Sequence, residues 1–133
     1  TNILYTNPTK LLEDNPHIQK FDLIVIDAGW TIQSKIIPIA LNWLGDSKNN
    51  PNGKIITLIK PHYELSAANK NQHKGVLDDE KAQQTLNQTL DYLKNQLNLN
   101  IIAHTKSPIR GGATRNKSKN GNIEYLALIQ QNL

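Results

Sequence analysis

Several features are missing from this chain of 133 residues, and each absence excludes a class of protein. It contains no cysteine, so it has neither a disulfide framework nor a cysteine-based metal site. No apolar stretch reaches the roughly 18 residues that a membrane-spanning helix needs, and the sequence shows no signal-peptide pattern. Its four histidines do not form a ligand pattern such as His-Glu-x-x-His, and we therefore expect no structural metal.

What the chain does contain is typical of a single globular domain. Hydrophobic residues make up 38% of the sequence and charged residues 20%. The formal net charge of +4 is a mild surplus, which indicates a nucleic-acid partner only where basic residues cluster. Because the chain begins at Thr1 and lacks methionine, we expect a processed form or part of a longer protein. We also expect a cytoplasmic location and no membrane partner.

Two short apolar runs predict strands that are buried on both faces of a parallel sheet. Leu23–Ile26 ends at Asp27, and Ile55–Ile59 ends at Lys60, with Pro61 directly after it. Proline cannot continue a central strand, so the second run stops there. Charged residues at the carboxyl ends of parallel strands lie where α/β sheets bind their ligands.

Two helices are predicted from apolar residues that recur at helical spacing. The stripe of the first consists of Ile32, Ile36, Ile39, Ala40 and Trp43. Pro38 predicts that this helix starts or kinks there, and Gly45 predicts its end. The second helix is capped by Asp78 and Asp79, and its stripe consists of Ala82, Leu86, Leu90, Leu93 and Leu97. Residues 64–77 between strand and helix are predicted to be irregular.

The remaining predicted elements lie toward the two ends of the chain. They are a strand at Ile3–Tyr5, a short helix from Asn7-Pro8, a strand at Asn100–Thr105 and a last strand at Ile123–Gln130. Alternating strands and helices predict an α/β fold with parallel strands and right-handed crossovers. No helical pattern precedes the last strand, so we expect it to return antiparallel.

This topology predicts that three charged residues meet at one edge of the sheet. Asp27 and Lys60 both end parallel strands, and Glu124 lies near the start of the antiparallel strand. A lysine flanked by carboxylates is a candidate functional group. The alternatives are a structural ion pair and charges that only mark where each strand meets water.

The connection before the last strand is basic. Its positive residues are Lys106, Arg110, Arg115, Lys117 and Lys119, with no acidic residue among them. Such clustering suits contacts with phosphate groups. The alternative is a flexible, solvated loop, which its glycine and asparagine content also favours.

Five segments, in order, resemble one known family. They are Phe21–Asp27, Ile36–Leu41, Lys60-Pro61-His62-Tyr63-Glu64, Gly75–Asp79 and Ser107-Pro108-Ile109 with Gly111 and Gly121–Leu126. The corresponding family motifs include Lys-Pro-Gln-Phe-Glu, Gly-Val-Val-Arg-Asp and Gly-Asn-x-Glu-Phe-Leu. The family is that of the TlyA-type, FtsJ-like RNA methyltransferases, which often carry the label hemolysin A.

The resemblance implies a ribose 2′-O-methyltransferase that uses S-adenosylmethionine and acts on ribosomal RNA. It implies the C-terminal half of a Rossmann-like sheet, with parallel strands and one antiparallel last strand. Asp27, Lys60 and Glu124 match three members of the family's Lys-Asp-Lys-Glu tetrad, and Asp27, Ala28 and Gly29 would contact the cofactor. Lys106, Arg110, Arg115, Lys117 and Lys119 would contact RNA.

The chain departs from the family in two places. It lacks the glycine-rich cofactor loop, since Gly111-Gly112 comes too late, so we expect residues 1–133 to be a partial domain, inactive alone. The open edge of such a half-sheet is expected to be covered by another chain or by the strand at Ile3–Tyr5. Gly29-Trp30 replaces the family's Ser-Phe, and Trp30 either stacks on a base or the cofactor or packs against the following helix.

Two functions from different classes therefore follow from the sequence. In the first, Lys60 orients a ribose hydroxyl as an ammonium group, because two carboxylates beside it favour its charged form; the general base is left open. In the second, the chain is an RNA-binding α/β module without catalysis. A pore-forming activity, which the hemolysin label suggests, has no membrane segment to support it.

Overall fold

The computed structural model describes residues 10, 13–15, 21–45, 48, 50–69, 75–111 and 121–132. Within these ranges the elements are β1 (Leu23–Ile26), α1 (Gln33–Leu44), β2 (Lys54–Ile59), α2 (Pro61–Asn69), α3 (Asp79–Asn95), β3 (Leu99–Lys106) and β4 (Tyr125–Gln131). The predicted α/β class is confirmed. The strand predicted at Ile3–Tyr5 and the helix start at Asn7-Pro8 lie outside the described residues.

The four strands form one sheet in the order β1-β2-β4-β3. β1 pairs with β2 in parallel, whereas β4 pairs antiparallel with both β2 and β3. The prediction of parallel strands with one antiparallel last strand is therefore confirmed. β4 lies between β2 and β3 and therefore links the two halves of the sheet. This position brings Glu124, the residue before β4, beside the end of β2.

One face of the sheet forms the core. Side chains alternate along β2 and β4, so every second residue is buried. The buried face includes Ile55, Thr57 and Ile59 of β2, and it continues with Ala127 and Ile129 of β4. Helices α1 and α3 place their buried stripes in the same core, with Ile36, Ile37, Ala40 and Leu44 from α1 and Ala82, Leu86 and Leu93 from α3.

The helix ends follow the predicted signals at two of three places. Asp78 caps α3, and its Oδ1 accepts a hydrogen bond of 2.7 Å from the Lys81 backbone N–H. Gly45 ends α1 with a φ of 91°, a conformation that favours glycine. At the start of α1, however, Ile32 offers no side-chain cap, and the helix begins five residues before Pro38 rather than at it. None of the described helices is long and apolar enough to cross a membrane.

The prediction that residues 64–77 are irregular is wrong for their first part. Helix α2 runs from Pro61 to Asn69, directly after β2. Proline is favoured at the first position of a helix because it has no N–H that would need a partner there. Pro61, which stops the strand, therefore also starts a helix. The sequence did not reveal this helix because the segment is polar and has no clear apolar stripe.

The other face of the sheet is apolar, and no described element covers it, so the prediction that the first two strands are buried on both faces is wrong. Leu23 and Val25 of β1 are 51% and 68% exposed. Their neighbours on this face, Ile56 of β2 and Leu128 of β4, are only partly buried. β1 is also an edge strand, so its outer row of backbone groups has no partner strand among the described residues.

We expect this face and edge to drive self-association of the 133-residue chain. Val25→Lys places a charge on the edge strand and should shift the chain toward monomer in sedimentation velocity. Ile109→Lys is the matched control, because Ile109 is 75% exposed but lies in the loop after β3. A wild-type chain that stays monomeric at high micromolar concentration would contradict the prediction.

Candidate functional site

Asp27 and Lys60 form an ion pair at the carboxyl ends of β1 and β2. Lys60 Nζ lies 2.6 Å from Asp27 Oδ1. The parallel register pairs Ile26 with Thr57, which leaves the two charged residues just beyond neighbouring strand ends. The Lys60 side chain is only 16% exposed, whereas that of Asp27 is 67% exposed. The ammonium group is therefore largely withdrawn from water while its carboxylate partner faces the open edge.

Glu124 lies on the opposite side of Lys60 from Asp27. The antiparallel register pairs Ile59 of β2 with Tyr125 of β4, so the next pair in line is Lys60 with Glu124. Glu124 is 9% exposed. Burial raises the pKa of its carboxyl group, Lys60 opposes that rise, and the negative charge of Asp27 adds to it. The three residues therefore form an electrostatically coupled row across β1, β2 and β4.

Gln33 fixes the connection between β1 and α1, which contains Asp27. The Gln33 side chain is buried, and it bridges α1 to β2. Its Oε1 accepts a hydrogen bond of 2.8 Å from Thr57 Oγ1, and its Nε2 donates to the Leu58 carbonyl at 3.3 Å. Because both the oxygen and the nitrogen of this buried amide are hydrogen-bonded to β2, Gln33 fixes the start of α1 against the sheet.

Glu64 supplies the cap that α1 lacks locally. Its Oε1 accepts a hydrogen bond of 2.8 Å from the Gln33 backbone N–H, at the first residue of α1. A carboxylate at a helix N-terminus is favoured by the helix dipole. Nevertheless, burial raises the pKa of Glu64 to about 7, because the loss of hydration outweighs the hydrogen bond from Gln33. Near neutral pH the cap is therefore divided between its neutral and charged forms.

Trp30 does not pack against the following helix, and that alternative is wrong. Its side chain is 80% exposed, and its φ of 64° lies in the left-handed region that non-glycine residues seldom adopt. Its ring contacts Tyr63 of α2, with ring centroids 5.1 Å apart and planes tilted by 36°. A strained backbone that presents an aromatic ring to solvent beside charged groups is typical of binding sites.

The residues predicted to contact the cofactor have unequal environments. Ala28 packs partly against the core, whereas Gly29 is exposed, and a Cβ atom added to Gly29 would meet nothing within 4 Å. The backbone at Gly29 is therefore open to a ligand. The described residues contain no group of three histidine, aspartate or glutamate side chains arranged to hold a metal ion.

The described part of the basic loop is neutralised by an acid from another element. Asp79, in the first turn of α3, lies 3.7 Å from Lys106 Nζ and 3.5 Å from Arg110 Nη2. Arg110 also donates to the Gly121 carbonyl at 3.3 Å. Arg115, Lys117 and Lys119, the other predicted RNA contacts, lie outside the described residues. The two described cations are therefore held at the base of the loop, about half and one-third exposed.

Sequence reasoning missed the roles of three residues near the site. Gln33 and Glu64 join α1 to β2 and α2, and Asp79 pairs with the loop as well as with its own helix. The sequence predicted Asp79 at the start of a helix, but not its ion pairs with the loop. Glu64 belongs to the Lys60–Glu64 motif, yet nothing in the sequence indicated that it would bond to Gln33, 31 residues away.

Comparisons with solved structures show that this fold occurs in larger proteins. A hemolysin-named protein from Streptococcus thermophilus aligns with a TM-score of 0.71 and 22% identity, over 98% of this chain and 41% of that one. A hemolysin-named protein from Lactococcus lactis aligns with a TM-score of 0.70 and 24% identity, over 99% of this chain and 54% of that one. The chain thus spans about half of each. At this identity the likeness concerns the fold.

Two other comparisons find no relative. No known protein family matches the chain, and no curated protein sequence matches it.

The environment of Glu64 predicts how stability depends on pH. Above pH 4.5 an ordinary glutamate of the unfolded chain has lost its proton, whereas folded Glu64 keeps it up to about pH 7. The free energy of unfolding should therefore fall between these values, by at most about 1.4 kcal/mol per pH unit for this group. Glu64→Gln should make the free energy of unfolding, measured by urea denaturation, depend less on pH. Some dependence should remain because the pKa of Glu124 is also raised.

Glu80→Gln is the matched control for this measurement. Glu80 is an exposed glutamate in the first turn of α3, so its replacement should leave the slope between pH 4.5 and 7 as in the wild type. Equal slopes for Glu64→Gln and wild type would mean that Glu64 is not buried in solution as described.

Proposed function

We propose that the protein to which this chain belongs is an S-adenosylmethionine-dependent ribose 2′-O-methyltransferase that acts on ribosomal RNA. The observation that carries the proposal is the row of Asp27, Lys60 and Glu124 across three neighbouring strands. These residues match the family motifs in type and order, and they meet at the sheet edge where ligands of α/β proteins bind. The hemolysin-named neighbours share the fold, which is compatible with the proposal.

Each residue of the row has a task in this reaction. A ribose hydroxyl is a weak nucleophile at neutral pH, so it must be oriented and must lose its proton as it reacts. Lys60, held 2.6 Å from Asp27, is the cation that orients the hydroxyl oxygen. Asp27 holds Lys60 in place through this contact. Glu124 is the proposed proton acceptor, because burial raises the pKa of its carboxyl group.

The cofactor would supply the methyl group, and this chain holds only part of what it needs. Gly29 leaves the backbone after β1 open to a ligand, and Asp27 and Ala28 flank it. The sequence contains no glycine-rich motif of the kind that binds the cofactor after a first strand. Cofactor binding is accordingly proposed for the complete domain, with Asp27, Ala28 and Gly29 as the share that this chain contributes.

An RNA partner is supported by the surroundings of the row. Lys106 and Arg110 lie at the base of the basic loop and suit phosphate groups. Trp30 offers an exposed ring three residues after Asp27, and aromatic rings bind unstacked bases. Cations on one side and an aromatic ring on the other would hold a single RNA strand across Lys60.

An RNA-binding module without catalysis is the second candidate. The absence of a glycine-rich loop favours it, since the chain can contact phosphates but cannot hold the methyl donor alone. Both candidates predict RNA binding, and only the first predicts methyl transfer that depends on Lys60.

Lys60→Ala in the full-length protein should abolish most ribose methylation. Loss of one preorganised cation at a reacting oxygen lowers the rate by about 100-fold or more. The measurement is transfer of a labelled methyl group from S-adenosylmethionine to ribosomal RNA. Lys54→Ala is the matched control, because Lys54 lies at the opposite end of β2 and its Nζ donates to the Asn52 carbonyl. Near wild-type methylation by the Lys60 variant would refute the assignment.

The RNA contact predicts opposite effects for two residues that touch each other. Asp79→Asn frees Lys106 and Arg110 from a competing carboxylate and should raise affinity for a ribosomal RNA fragment several-fold in filter binding. Arg110→Ala should weaken binding. It should also make the plot of log affinity against log salt concentration less steep by about 1, the change expected for one lost phosphate contact. Asp91→Asn, at an exposed position farther along α3, should have no effect. Equal affinities for wild type and the Asp79 and Arg110 variants would exclude this part of the loop from the RNA interface.

A further inference from the structure

The carboxyl group of Glu124 lies directly on the backbone of Gly111. A Cβ atom added to Gly111 would come within 2.5 Å of Glu124 Cδ and closer still to its Oε1. Atoms that are not bonded do not approach so closely, so any side chain at position 111 would have to displace the carboxyl group. The space that Glu124 occupies thus exists because residue 111 has no side chain.

Backbone conformation does not account for this glycine. The described glycines with a left-handed backbone are Gly45 and Gly75, and Gly111 is not among them. An alanine would therefore adopt the backbone angles of Gly111 without strain. The three atoms nearest to a Cβ at this position all belong to the Glu124 carboxyl group, so the requirement for glycine comes from the close approach of Glu124.

Backbone hydrogen bonds hold the two residues in this position. Gly111 and Asn122 exchange a pair of them, of 2.9 Å and 2.8 Å, in an isolated antiparallel bridge. The Glu124 carbonyl accepts a further bond of 2.8 Å from the Ser107 N–H. Asn122 is tied in turn to the segment before α3, since its Oδ1 accepts from the Leu77 N–H at 2.8 Å. The backbone on both sides of the contact is therefore fixed.

We propose that Gly111 is a positioning residue for Glu124: it provides the space that keeps the carboxyl group buried and in line with Lys60 and Asp27. The Glu124 side chain is the flexible partner, so a methyl group at position 111 would move the carboxyl group rather than the backbone. The meaning of this position for catalysis depends on the proposed methyl transfer, whereas the positioning itself does not.

The test follows the Glu124 carboxyl carbon by NMR titration in the 133-residue chain. In the wild type the pKa of Glu124 should lie above 4.5 because of burial. In Gly111→Ala the displaced carboxyl group meets water, and its pKa should fall toward that value. Gly29→Ala is the control for adding a methyl group to a loop glycine, since it meets nothing within 4 Å and should leave the Glu124 titration unchanged. An unchanged titration in Gly111→Ala would overturn the proposal.

A double-mutant cycle gives a second readout that does not depend on titration. Any loss of stability caused by Gly111→Ala should disappear when Glu124 is also replaced by alanine, because the contact is then gone. If Gly111→Ala alone fails to fold, a folded Gly111→Ala/Glu124→Ala chain supports the proposal. A loss that persists in the double variant refutes it, because the methyl group would then clash with something other than Glu124.

In the full-length protein, Gly111→Ala should lower kcat for methyl transfer by up to about 100-fold and leave KM for RNA unchanged. A shifted Glu124 titration without any change in kcat would leave the positioning intact and count against the proposed role of Glu124. The two proposals can thus fail separately.

Discussion

Parallel pairing of β1 with β2 is the constraint on which the candidate site depends. Because both strands end at the same edge of the sheet, Asp27 and Lys60 meet at 2.6 Å although they are 33 residues apart. Lys60 is largely withdrawn from water, and a partly buried ammonium group without a counter-charge is costly. The Asp27 carboxylate supplies that counter-charge. β4 completes the row from the other side with Glu124.

The start of α1 shows how the protein holds this edge in place. Ile32 provides no local cap, so the first N–H of the helix bonds to Glu64 of α2, and the Gln33 side chain bonds to β2. These contacts join α1, α2 and β2 around the connection that carries Asp27 and Trp30. The cost is a buried carboxyl group whose pKa rises to about 7. Supporting contacts of this kind are what a precise binding edge requires.

The structural neighbours inform the fold of this chain, and the residues at the edge inform its chemistry. Both neighbours are hemolysin-named, and their identity of 22% to 24% makes the likeness one of fold. A fold hosts many functions, so function is argued from the site. Here the site offers a lysine between two carboxylates, an exposed tryptophan and two cations near Asp79. This combination supports the proposed RNA substrate, because cations bind phosphate groups and aromatic rings stack on bases.

Local sequence determined the elements, and tertiary structure decided how their ends meet. Leu23–Ile26 and the run before Lys60 are apolar enough to predict strands, although not which face is covered, and Asp78 predicts the start of α3, because these signals act within a few residues. Helix α2 escaped prediction because its apolar periodicity is weak. The position of β4 inside the sheet, the cap from Glu64 and the close fit of Glu124 on Gly111 involve partners far apart in the chain. Such pairings depend on the packing of whole elements, which no local pattern records.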